Sequence, residues 1–206
     1  MEKTTESGVE KLTARRLMIV DAAVSCFIEN GFHQTGMREI AKQAGVSLGN
    51  LYNHFKGKDE ILVAITAIEA EELTEFTEIL ARFVEPRRAF DKFVTAYLDY
   101  SLKPENALIS LEILTVAMRN PAVSKGFSEN RAALVAALCD VLVKFDESES
   151  GCSVQAPLEA AKLVLDLIEG FAMRCVLESE EPTPMARQVL WRMLEGATGV
   201  PLAITS

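Results

Sequence analysis

The stretch VSLGNLYNHF, residues 46 to 55, gathers Ser47, Asn50, Tyr52, Asn53 and His54, and Lys58 follows closely. These side chains donate and accept hydrogen bonds, but they include no nucleophile beside a base and no carboxylate pair, the arrangements that covalent or acid–base catalysis needs. The whole chain has two histidines, His33 and His54, and lacks the H-E-x-x-H, G-x-S-x-G and Gly-rich phosphate-loop patterns. The expectation is therefore no catalytic residue, no metal ligand set and no cofactor. What such a cluster can do is recognise a hydrogen-bonding surface.

Net charge first argues against a polyanion as that surface, because the formal charge is −9. The average conceals a division. Residues 1–58 hold eight Lys/Arg against six Asp/Glu, and the remainder 13 against 24. The first segment can face phosphate, which is bound through Lys and Arg, while the acidic remainder keeps the chain dispersed.

The elements that must position the cluster are helices. Strand patterns are nearly absent, and apolar residues recur at helical spacing from end to end. Thr13 is the expected N-cap of a first helix with Leu17, Val20, Val24 and Phe27 on one face; Gly31 ends it. A second helix, GMREIAKQA, turns Met37, Ile40, Ala41 and Ala44 inward. Gly45-Val46-Ser47 makes a tight turn, and Ser47 caps a third helix in which Leu51 and Phe55 face the core. Two short helices joined by a Gly-containing turn form a helix-turn-helix. Downstream, Pro86, Pro104, Pro121, Pro157 and Pro184 each mark a helix start, since proline suits the first helical position. The fold expected is all-α with about nine helices: a three-helix head carrying the helix-turn-helix over residues 1–58, and a larger helical domain over 59–206.

An α-helix fits the major groove of B-DNA, and residues near the N-terminus of a recognition helix meet base edges. By that geometry Leu48, Gly49 and Asn50 lie nearest the bases. Tyr52, Asn53 and His54 suit phosphate oxygens, and Lys58 adds a point charge beside free backbone N–H groups.

Residues 31–62 resemble the DNA-binding signature of TetR-family transcriptional regulators. Thr35, Ile40, Ala41, Ala44, Gly45, Val46, Ser47, Gly49, Tyr52, His54, Phe55, Lys58 and Leu62 stand at the family's spacing. The resemblance implies phosphate contacts from Thr35, Ser47, Tyr52, His54 and Lys58, with Leu48, Gly49, Asn50 and Arg38 facing the groove. The sequence departs from the family pattern at Gly36 and Gly57, both weaker caps, and at Leu48, often polar in the family.

The resemblance also implies a homodimer through the last two helices, a palindromic double-stranded operator and a small-molecule pocket. Independently of it, the eighth helix is apolar nearly all round, which calls for a partner surface. The dimer candidates are Leu163, Leu167, Gly170, Phe171, Val189, Leu190 and Met193. Polar residues inside apolar helices, with aromatic or Met walls, are the pocket candidates: Phe93, Tyr97, Glu112, Thr115, Met118, Arg119, Phe127, Met173 and Arg174. The effector expected is small and mostly hydrophobic, and its binding is expected to release a repressor. The alternative keeps the head but replaces the small molecule by a protein partner docking on the acidic body.

No run of apolar residues is long enough for a membrane span, so a cytoplasmic protein is expected. Cys26, Cys139 and Cys175 lie in apolar helical patterns and read as core thiols; Cys152, in a polar loop, is the candidate redox sensor.

Overall fold

The computed structural model describes residues 3–148 and 154–199, and the described residues form nine α-helices and no strand. They are α1 (Lys3–Asn30), α2 (Met37–Gln43), α3 (Leu48–His54), α4 (Lys58–Arg82), α5 (Pro86–Ser101), α6 (Pro104–Ala117), α7 (Pro121–Ser148), α8 (Pro157–Glu178) and α9 (Pro184–Thr198). All five punctuating prolines occupy the first residue of a helix. There the fixed φ is already helical and the missing N–H is one that has no intrahelical partner in any case. Thr183 caps α9 by accepting from the Ala186 N–H at 3.1 Å, and Asn120 caps α7 by accepting from Ala122 N–H at 3.0 Å.

One expectation about α1 is corrected. The helix starts at Lys3, upstream of Thr13, because no proline or other strong breaker precedes Thr13 and one glycine costs a helix only about 1 kcal/mol. Its buried face is Ile19, Val20, Ala23, Cys26 and Phe27, while Leu17 is 45% exposed. Cys152, the candidate redox sensor, lies outside the described residues.

The chain divides into two compact units. The first takes residues up to Glu69 together with Leu108–Phe127, so it exceeds the expected three-helix head: α6 from Leu108 onward and the start of α7 belong to it. Its core contains Phe27, Phe32, Ile40, Leu51, Phe55 and Ile61, joined by Ile113, Val116 and Val123. Residues in each helix recur at three- and four-residue spacing and bury one stripe apiece.

The second unit comprises Ala70–Ala107 and Ser128–Ser206. Its core takes Phe90, Phe93, Val94, Tyr97 and Leu98 from α5, Leu138, Leu142 and Phe145 from α7, and Val164, Leu165 and Ile168 from α8. Phe93, Tyr97 and Tyr100 stack in sequence along α5, and Phe76 of α4 sets its edge against all three. A charged cluster borders these rings. Tyr97 donates to Glu169 at 2.8 Å, and Arg131 donates to both Glu169 oxygens and to Asp166. Burial alone would lower the Arg131 guanidinium, but Glu169 and then Asp166 outweigh it and hold it above its usual range.

Candidate nucleic-acid interface

The short helix α3 is fixed at both ends and along one side. Ser47 Oγ accepts from the Asn50 N–H at 3.1 Å, satisfying one of the four donors a helix N-terminus leaves free. Gly45 takes φ +64° in the preceding turn, a conformation open to glycine at little steric cost. Leu51 and Phe55 are wholly buried, which turns the opposite arc of α3 outward. Arg16 of α1 closes the far end: Nη1 donates to the His54 carbonyl at 3.0 Å, and the guanidinium lies 4.1 Å from the Phe55 ring centroid. No local sequence pattern signals this contact, whose partner lies 38 positions away.

The outward arc matches much of the predicted set. Arg38, Ser47, Gly49, Tyr52 and Asn53 are exposed, and no atom outside the local backbone lies within 4 Å of where a Cβ on Gly49 would stand. Lys42 on α2 is exposed as well. Asn50 and His54 are half-buried, and Asn50 Oδ1 is shielded from solvent without a protein donor. Leu48, expected to face the groove, is half-buried and packs partly against the head core, so only part of its side chain faces outward.

Two predicted phosphate contacts have other partners. Thr35 is 1% exposed, and its hydroxyl is directed at the carbonyls of Cys26 and Gly31, at 3.0 and 2.9 Å. It ties the α1–α2 turn back onto α1 and has no surface left for phosphate. Lys58 donates from Nζ to the carbonyls of Phe32 and His33, and its ammonium lies 4.6 Å from the Phe32 ring centroid. Burial pulls the Lys58 ammonium below its usual range, with Asp59 opposing. Lys58 is thus first a latch on the head. At the start of α2, Glu39 takes the capping-box role: it accepts from the Gly36 N–H at 3.5 Å, in place of the side-chain cap that glycine lacks.

The expected pocket residues fall into different units. Glu112, Thr115, Met118, Arg119 and Phe127 belong to the first, and Phe93, Tyr97, Met173 and Arg174 to the second. Glu112 accepts from the Phe32 N–H at 2.9 Å, Thr115 and Arg119 hydrogen-bond within their own helical turn, and Met118 is 77% exposed. Phe127 packs against the head core. In the second unit Phe93 and Tyr97 lie inside the aromatic cluster, whereas Arg174 pairs with Glu178 at 2.6 Å on the surface. Arg131, Glu169 and Asp166 were missed, since charged residues in amphipathic helices look solvated until their partners are placed.

On α8 and α9, Leu163, Val189 and Met193 are exposed apolar side chains, Gly170 is exposed, and Leu167 and Phe171 are half-buried. Leu190 is 2% exposed and belongs to the second unit's own core, so it is withdrawn from the dimer candidates. Burial pushes the Cys26 thiol up, which suits an inert core residue. Among the described residues no group of three His, Cys, Asp or Glu could hold a metal ion, and no helix is long and apolar enough to cross a membrane.

Comparison with known proteins adds independent findings. Residues 19–65 match the profile of bacterial regulatory proteins of the tetR family, and residues 86–198 match that of the BetI-type transcriptional repressor C-terminal region. The chain is 24% identical over 192 residues to the HTH-type transcriptional repressor Rv1474c of Mycobacterium tuberculosis, covering 90% of this chain and 93% of that one. To the HTH-type transcriptional regulator UidR of Escherichia coli K12 it is 34% identical over 119 residues, 53% of this chain and 55% of the other. Among solved structures, Salmonella enterica GusR aligns with a TM-score of 0.71 at 24% identity, over 91% of this chain and 96% of its own. FadR from Bacillus subtilis in complex with stearoyl-CoA aligns with a TM-score of 0.73 at 21% identity, over 87% and 98%. With both profiles matched in order and an all-α fold carrying an N-terminal helix-turn-helix, the chain belongs to the TetR family of bacterial transcriptional regulators.

Proposed function

We propose that this chain is a repressor that binds a palindromic operator as a homodimer and is released by a small, mostly hydrophobic effector. The observation that supports it most is the outward arc of α3: Ser47, Gly49, Tyr52 and Asn53 exposed on a helix anchored by Leu51, Phe55 and Arg16. In this reading Gly49 and Asn50 approach base edges, with Arg38 beside them and Leu48 contributing its exposed part. Ser47, Tyr52, Asn53 and His54 contact phosphate and set the register. Lys58 keeps an electrostatic part from its latched position.

A two-fold dimer presents two such helices to successive major grooves, which makes the operator palindromic. The apolar side chains of Leu163, Leu167, Phe171, Val189 and Met193 supply the dimer surface. The effector is read in the second unit, where Phe93 and Tyr97 meet the Arg131–Glu169 cluster; an apolar wall with few convergent polar groups is the usual form of a ligand site. The dissociation of DNA by a protein partner instead of a small molecule would contradict this assignment.

The test is selection of duplexes from a random pool by the purified protein, followed by a thermal-shift screen that includes acyl-CoA esters, because the FadR structure named above holds stearoyl-CoA. A symmetric selected site and a ligand that both raises the melting temperature and releases that site are the expected results. A tight ligand that leaves affinity for the selected site unchanged overturns the effector half of the proposal.

A further inference from the structure

We infer that Glu112 of α6 is a positioning residue for the DNA-binding head, acting through the backbone of Phe32. The inference rests on the DNA-binding reading and goes beyond it. Phe32 stands where α1 leaves its helical path, just after Gly31 with φ +79°. Its N–H donates to Glu112 Oε2 at 2.9 Å, and its carbonyl accepts from Lys58 Nζ. Charged side chains from α6 and α4 thus take both backbone polar groups of a single residue, while its ring is buried against Phe27 at 5.2 Å between centroids. Hydrogen bonds with an ionised partner are roughly twice as strong as neutral ones, and these are partly buried.

The same turn is fastened a third time by Thr35 to Cys26 and Gly31. Residues 31–35 lead directly into α2, and α3 follows after a tight turn, so the place where Glu112 holds Phe32 helps to set where α2 and α3 lie. Glu112 is the contact in this group that reaches across 80 positions of sequence, and it stands in the middle of α6. A shift of α6 acts on the recognition helix through that carboxylate.

Two accounts of Glu112 predict opposite signs. If it were only a negative charge in a protein that binds a polyanion, removing it would strengthen DNA binding. As a positioning residue, its removal weakens binding. The experiment compares Glu112→Ala, Glu112→Gln and Glu112→Asp in the full-length protein. Affinity is measured for the duplex that wild-type protein selects from a random pool, and hydrogen exchange is followed at the Phe32 amide. Glu112→Ala and Glu112→Asp, which lack the acceptor or the reach, are expected to expose the Phe32 amide to faster exchange and to weaken the selected duplex by about tenfold. Glu112→Gln keeps an acceptor at the same length and is expected to retain slow exchange and most of the affinity. Wild-type exchange at Phe32 in Glu112→Ala, or affinity that is unchanged or raised, overturns the inference; should that variant fail to fold, the Gln and Asp variants decide by the same criteria. A wild-type protein that selects no duplex overturns the DNA-binding reading instead, and leaves the Phe32 amide as the separate measure of the clamp.

Discussion

Arg16 and Phe55 are joined by the guanidinium lying 4.1 Å above the ring, while the same group donates to the carbonyl of the preceding residue, His54. The first helix therefore holds the last turn of the third. Arg16→Met keeps an apolar stem and removes the donor; affinity for selected and unselected DNA is expected to fall together, by about threefold to tenfold, for the loss of one charged hydrogen bond. Arg16→Lys is expected to restore little of it, because an ammonium cannot reproduce the flat stacked fork. Full recovery with Lys in a fluorescence-anisotropy titration would mean that Arg16 acts by charge alone.

In the proposed function, base reading is assigned to Asn50 and phosphate contact to Tyr52. Tyr52→Phe should weaken all duplexes by a similar factor and leave the slope of affinity against salt unchanged, since a hydroxyl displaces no counterion. Asn50→Ala should change which sequences are recovered in a selection, at about 1–3 kcal/mol of lost discrimination at the affected base pair. An identical recovered site from both proteins would remove Asn50 from the groove.

Two glycines give opposite outcomes with alanine. A Cβ on Gly49 meets nothing within 4 Å, so Gly49→Ala should stabilise α3 by about 0.5–1 kcal/mol and yet weaken DNA binding by blocking close approach. A Cβ on Gly126 would stand 2.5 Å from Thr66 Oγ1 and 3.1 Å from Thr66 Cβ, where Thr66 is buried and already donates to the Val63 carbonyl. Gly126→Ala should therefore destabilise by about 1–3 kcal/mol. Thermal melts of the two variants moving in the same direction would refute one of these contacts.

Ser179 ends α8 with φ +53°, and its N–H bonds back to the α8 carbonyls. Ser179→Gly is expected to raise stability, by up to about 1 kcal/mol, because glycine reaches this left-handed region without the Cβ clash. Chemical denaturation that shows no gain would place the strain elsewhere.

Charge on the exposed apolar stripe of α9 tests the proposed dimer. Val189→Glu with Met193→Glu should give monomers in sedimentation velocity while retaining helical content. Leu190→Ala should instead lower stability by about 2–5 kcal/mol, as a core truncation does, without a change in state of association at concentrations where it stays folded.

The legible parts of this sequence were those set by local rules. Proline at the first position of α5 to α9, glycine after α1, and Ser47 before α3 carry their own geometry, so helix number and the outward arc around Gly49 and Tyr52 could be read directly. The start of α1 was not legible, because the residues before Thr13 contain nothing that forbids a helix. Least legible were lone polar side chains. Glu112 in an apolar helix fits a pocket as well as a backbone clamp, and Thr35 fits a phosphate as well as a buried carbonyl. Only the position of the distant partner, Phe32 in one case and Cys26 in the other, separates these roles.

The first unit is assembled from two stretches of chain, and this affects how it is made. A ribosome that has released residues up to Glu69 has delivered the recognition helix but not Ile113, Val116 or Val123, which share its core. Nor has it delivered Glu112. The head must wait for the segment 108–127 before its interior is complete, and a fragment cut after α3 or α4 would carry the reading helix with an open hydrophobic side.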